Sequence, residues 1–132
     1  MKEMAAKPSD CASTQANRRW GRWVAAASAD RQRVLLFDCE SRRWTTLSEL
    51  GVNDMVWSHD GKTLFFDTHS GVEGAVFRVD MESRSVQKVT DLAGVQRTGF
   101  AGWRLGITAD DHVIIVRQAG IMEVYRLDIN TL

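Results

Sequence analysis

Three short apolar runs in this chain end in the same way, and that repetition constrains its fold more than any other feature. Val34-Leu35-Leu36-Phe37, Val76-Phe77-Arg78-Val79 and Val124-Tyr125-Arg126-Leu127 are each closed by an aspartate, Asp38, Asp80 and Asp128. The first two continue into nearly one tail, Asp38-Cys39-Glu40-Ser41-Arg42 and Asp80-Met81-Glu82-Ser83-Arg84, 42 residues apart. The third follows 48 residues later and reads Asp128-Ile129-Asn130-Thr131. Gly21, Gly61 and Asp111 stand 17, 19 and 17 residues ahead of these aspartates, and each is followed by a further apolar run. Self-similarity at such a period means one supersecondary unit copied along the chain.

The middle copy shows what the unit is. Four strands are predicted in it, over Val52 to Trp57, Thr63 to Asp67, Ala75 to Asp80 and Val86 to Thr90. Asp60-Gly61 marks the first hairpin, because glycine takes the positive φ that a tight turn needs. Ser83-Arg84 lies in the last turn, and Gly71 and Gly74 in the longer central loop. No helical period of apolar residues persists for three turns. The strands are apolar at consecutive positions, as expected when both faces of a sheet are covered by neighbouring sheets. Units of about 40–45 residues with four strands are the mark of a β-propeller blade. The expected fold is therefore all-β, a partial β-propeller of about two and a half to three four-stranded antiparallel blades. Their approximate spans are 20–50, 51–92 and 93–132, behind a polar leader at 1–19.

Trp57-Ser58-His59-Asp60-Gly61-Lys62-Thr63-Leu64-Phe65-Phe66 resembles the Trp-Ser-Pro-Asp-Gly-Lys signature of TolB-like, WD-like bacterial β-propeller repeats. His59 stands where that family usually has proline. The likeness runs on through Val76 to Asp80 and ends at Val89-Thr90-Asp91-Leu92. Trp103, Gly106 to Asp111 and Glu123 to Asp128 are similar to the C-terminal blades found behind winged-helix regulator or serine/threonine kinase domains. The resemblance spans about Trp20 to Asn130 and implies a bacterial propeller. No winged-helix or kinase motif accompanies it: there is no glycine-rich phosphate loop, no His-Arg-Asp and no Asp-Phe-Gly.

Closed propellers have about four to eight blades, and this chain has fewer. Its first unit lacks a convincing innermost strand and its last stops at a third strand. End sheets left uncovered would expose apolar area that drives association. Two expectations follow: the chain is the C-terminal part of a longer propeller, or copies assemble head to tail as a homo-oligomer that closes a ring.

Charge and targeting exclude other classes. Seventeen basic and seventeen acidic side chains cancel, so no large field draws the chain to nucleic acid or anionic membrane. Arg18, Arg19 and Arg22 interleave with Trp20 and Trp23, but the plainer reading is arginine covering packed tryptophan. The longest apolar runs fall far short of the roughly 20 residues that span a bilayer. No secretory signal is seen. The expected compartment is the cytoplasm if Met1 is the true start, and the periplasm if the chain belongs to a longer one. Cys11 and Cys39 could form one disulfide, although nothing in their spacing demands it; two free thiols are expected.

Chemistry is hard to find. His59, His69 and His112 form no i, i+4 pair, and no Cys/His/carboxylate cluster has metal-ligand spacing. Ser70-Gly71 lacks the frame of a nucleophile elbow. Asp110-Asp111 are turn neighbours that point apart, unsuited to act as an acid and base pair. The recurrent Asp38, Asp80 and Asp128 read as turn caps. The five tryptophans read as blade packing, with Trp44 and Trp57 on strands; a sugar-stacking platform is the sharper alternative.

These observations point to a non-enzymatic module that binds a protein or peptide, with no cofactor and no metal. The alternative is a sensory or regulatory propeller fragment of a larger signalling or transcription-regulatory protein. Binding is expected at the loops between blades and between second and third strands: Leu50 to Asp54, Asp67 to Gly74, Ala93 to Gly99 and Gln118 to Gly120. The polar residues there, Asn53, Asp54, His69, Arg97 and Gln118, are the candidate site.

Overall fold

The structure, a computed structural model, describes residues 22–68, 74–95 and 105–115. These residues form nine strands in three antiparallel sheets, each an up-and-down meander. The first sheet has β1 (Trp23–Ala27), β2 (Val34–Asp38) and β3 (Arg43–Ser48). The second has β4 (Met55–Trp57), β5 (Thr63–Asp67), β6 (Ala75–Asp80) and β7 (Val86–Asp91). The third has β8 (Leu105–Ile107) and β9 (Val113–Ile115). The fold is a partial β-propeller, and the middle sheet is a complete blade. The leader, the last blade beyond Ile115 and the third aspartate tail lie outside the described residues.

In the middle sheet β5 is buried on both faces, which is why it lacks polar alternation, while the outer strand β7 is exposed along its length. Leu64, Phe66 and Val79 meet Val34 and Leu36 of the first sheet in one core, joined by Trp23 and Trp57. Phe65 and Val76 point the other way and meet Leu92, Leu105, Ile107 and Val113 in a second core. Alternate residues of one strand thus serve two interfaces, as the period of 2 dictates. Phe66, fully buried, stacks on Phe77 at 5.4 Å between ring centroids. Trp44 lies in β3 against Phe37 at 5.1 Å, a packing role.

Three of the hairpins, β1–β2, β4–β5 and β8–β9, are locked by one polar device. Ser28, Ser58 and Thr108 donate their hydroxyls to Asp30, Asp60 and Asp110 at 2.5, 2.6 and 2.5 Å. The same hydroxyls accept the backbone N–H of Arg33, Thr63 and His112. The residue after each aspartate, Arg31, Gly61 or Asp111, has positive φ. Only glycine takes that conformation freely, so at Arg31 and Asp111 the polar locks hold it against an intrinsic cost of about 1 kcal/mol. The device sits at different places in the blade: between first and second strands at Ser58 and Thr108, and between β1 and β2 at Ser28, where the tails equate β1 with β5.

The matched tails are matched in space. Asp38 accepts the N–H of Glu40, and Asp80 that of Glu82, through Oδ1. Arg42 and Arg84 both bond back to the aspartate carbonyl and both have positive φ. Each outer strand carries a bulge 42 residues from the other, at Leu47 in β3 and Val89 in β7. A bulged, charged outer strand resists pairing with foreign strands.

Two expectations are corrected. The first strand of the middle blade begins at Met55, not Val52, because Asn53 and Asp54 turn their backbones onto Asp67. Cys39 is disulfide-bonded, so the expected pair of free thiols does not hold.

Phe66→Ala removes a fully buried ring stacked on Phe77 and is expected to cost about 3–5 kcal/mol, measured by urea unfolding. The hydroxyl of Ser28 or Ser58 and the backbone N–H of Gln32 or Lys62 hold the Asp30 and Asp60 carboxyls below the usual range. Thr108 does the same for Asp110, and the Ser83 N–H and hydroxyl for Asp80. A depressed carboxyl contributes stability above its unfolded value, lost as pH falls through the folded one. The urea midpoint is therefore expected to fall from pH 5 to pH 3, and to fall less in the Ser28→Ala/Ser58→Ala double variant.

Candidate functional site

Strand direction sorts the connections onto two ends of the molecule. The upper end gathers the β1–β2 turn, the β3–β4 connection, Thr68, Gly74 and the segment after β7. The lower end carries the Ser58 and Thr108 hairpins and both aspartate tails. The expected binding loops, in their described parts, all fall at the upper end.

At that end a groove of about 710 Å³ opens along the seam between the first and second blades. Its walls include Arg31, Gln32, Asn53, Lys88 and Asp91, and apolar Leu50 and Phe77 contribute surface between them. Leu50 is 40% exposed, unusual for leucine beside a packed seam. Lys88 and Asp91 form an ion pair at 2.9 Å. The Arg31 guanidinium donates through Nη1 to the Asn53 carbonyl at 2.7 Å, while the Arg31 carbonyl accepts from Val52.

Asn53 and Asp54 sit here, and their side chains also hold the fold. Asp67 is fully buried, and its carboxylate accepts the Asp54 N–H at 2.8 Å and the Asn53 amide at 3.4 Å. A buried carboxylate needs such donors, since desolvation without them is costly. The Asp54 carboxylate accepts the N–H of Met55 through one oxygen and that of Leu105 through the other, at 2.9 and 2.8 Å. Asp54 therefore ties the inner strand of one blade to the inner strand of the next, β4 beside β8. His69, Arg97 and Gln118 lie outside the described residues.

Sequence reading missed Arg31, Gln32, Lys88 and Asp91. The signal for the first two was available: Ser28-Ala29-Asp30 between two apolar runs is a hairpin, and the blade order puts it at the upper end. Lys88 and Asp91 belong to a strand, where no loop-based search looks.

The lower end has its own cross-blade contact. Asp111 Oδ1 accepts the His59 backbone N–H at 3.0 Å and lies 2.7 Å from Nδ1, and the N–H bond is the main cause holding the Asp111 carboxyl below its usual range. His112 pairs with Asp110 at 2.9 Å. Both histidines are exposed turn residues. Trp23 lies between the Arg22 and Arg84 guanidiniums, 4.6 and 4.4 Å from its ring, so arginine covers a packed tryptophan there. Among the described residues no three His, Cys, Asp or Glu side chains gather to hold a metal ion.

No family model matches the chain, and no curated protein matches it. Among solved structures it is similar to TolB from Acinetobacter baumannii, at 15% identity and a TM-score of 0.48, over 74% of this chain and 35% of that one. It is similar to the tricorn protease at 17% identity and 0.45, over 69% and 9%. The β-propeller domain of the Trilobed protease from Pyrococcus furiosus, described as having an open velcro topology, gives 16% and 0.44, over 70% and 28%. The chain spans about a third or less of the length of each.

Asp54→Ala leaves the Leu105 N–H without its acceptor at a blade seam. A loss of about 2 kcal/mol is expected, with faster amide exchange at Leu105 than at Leu64 in the middle blade.

Proposed function

We propose that this chain is a non-enzymatic β-propeller module that binds a protein or peptide at its upper end. The observation that carries the reading is the seam groove. It has the size of a ligand site, lies where the connections between strands and blades gather, and offers apolar surface between fixed polar groups. The polar groups around it are engaged in ion pairing and in backbone hydrogen bonds, an arrangement suited to holding a chain rather than to moving protons. Asn53 is the candidate residue that lines the groove, and His69, Arg97 and Gln118 lie outside the described residues.

Assembly of copies is a second part of this reading, favoured by the far face of the first sheet. Leu35 of β2, half-buried, alternates with the core residues Val34 and Leu36 and so faces away from the middle blade, whereas Phe37 is already buried and packs on Trp44. Ile114 of β9, 47% exposed, alternates in the same way with Val113 and Ile115 of the second core. Stacking such faces continues the blade-on-blade packing already present.

For a peptide selected on this protein from a displayed random library, the Gln32→Ala/Lys88→Ala double variant is expected to weaken binding about fivefold or more, read by fluorescence anisotropy. Lys62→Ala, at the lower end, is expected to leave it unchanged. The reverse pattern would move the site to the other end of the molecule.

A further inference from the structure

Among the described residues, Arg31 is a cation held in place with no carboxylate to neutralise it. Its backbone is fixed at φ 56° by the Ser28 turn, its N–H donates to Ser28, and its carbonyl accepts from Val52. Its guanidinium is tethered by one arm to the Asn53 carbonyl at 2.7 Å. A carbonyl fixes the group's position without cancelling its charge, and the remaining N–H donors of the planar fork stay available. Among the described residues no acidic side chain pairs with Arg31, whereas Lys88, in the same groove, is paired with Asp91 at 2.9 Å. Among the described residues the groove thus carries one cancelled cation, Lys88, and one uncancelled cation, Arg31. Beside them lie exposed Leu50 and half-buried Phe77.

From this complementarity we infer that Arg31 anchors an acidic side chain, aspartate or glutamate, of an extended peptide whose neighbouring apolar side chain packs on Leu50 and Phe77. The inference rests on the peptide-binding reading and adds its specificity. A carboxylate is the ligand that the arginine fork fits with two parallel hydrogen bonds. The groove volume of about 710 Å³ holds several residues, so the occupant is a segment within a chain rather than one terminal residue. Desolvating an anchored ion pair is offset only when hydrogen bonds are retained on both partners. The tether to Asn53 provides that retention on the arginine side.

The test selects dodecapeptides displayed with their C termini fused to the carrier, so that only side chains offer carboxylates. Peptides enriched on the wild-type protein are expected to carry an Asp or Glu flanked by apolar residues. Changing that acid to its amide should weaken wild-type binding about tenfold and should change little on Arg31→Gln, while Arg31→Lys retains part of the preference. The acid-to-amide change is made in the peptide, so the wild-type arm stands even if Arg31→Gln is unstable. Enriched peptides without an acid, or an equal cost of the amide change on wild type and Arg31→Gln, would overturn the anchor and leave the binding module standing. Binding confined to synthetic peptides with a free C-terminal carboxylate would overturn the side-chain source. Enrichment of no peptide at all would overturn the binding reading, and the anchor with it.

Discussion

Everything else in the structure depends on burying one four-stranded sheet between two others. A single antiparallel meander has two faces and can hide neither alone. In β5, Leu64 and Phe66 serve one interface and Phe65 the other. That leaves no solvent face along the strand, and a polar residue survives there only when its hydrogen bonds are supplied internally. Asp67, at the end of β5, is the case in point: it is fully buried, and Asn53 and Asp54 are drawn onto it. The need to solvate one carboxylate from within sets the shape of the connection that enters this same blade.

Carboxylates recur as backbone acceptors wherever the chain reverses or crosses a seam. Asp30 and Asp60 close hairpins and Asp38 and Asp80 close the aspartate tails by accepting backbone N–H groups, while Asp110 closes its hairpin by accepting the Thr108 hydroxyl. Asp54 and Asp111 reach in opposite directions across the same blade boundary, the first to Leu105 N–H at the upper end and the second to His59 N–H at the lower. Face packing between sheets is non-directional and tolerates sliding. Hydrogen bonds at both ends of the seam fix its register. Among the described residues, much of the acidic content is accordingly committed to architecture.

The groove is a by-product of the same geometry. The groove lies between the upper ends of two sheets packed face to face, and the β3–β4 segment lines it. Its backbone is held by Arg31 on one side and Asp67 on the other. A surface built from backbone pinned at both sides is preorganised, so a ligand laid on it loses its own freedom but requires little ordering of the protein.

The repeat, the number of strands per unit and the turn positions were legible in the sequence by itself. They depend on local chemistry: a period-2 apolar pattern, a hydroxyl two residues before an aspartate, and a residue forced to positive φ. The equivalence of Asp38 with Asp80 survives in space down to the positive φ of Arg42 and Arg84, because a turn's hydrogen bonds lie within a few residues of one another. Asn53 and Asp54 were found as polar loop residues by the same logic. Their partners were not, because Asp67 and Leu105 lie 14 and 51 residues away, and no local pattern encodes contacts at that separation. Only the tertiary structure decided that Asp54 is a tie between blades and that Arg31 joins Lys88 at one groove. Only packing, too, decided that the strand-borne Lys88 and Asp91 line the groove, since the face on which a side chain emerges is set by register and a bulge, not by residue type.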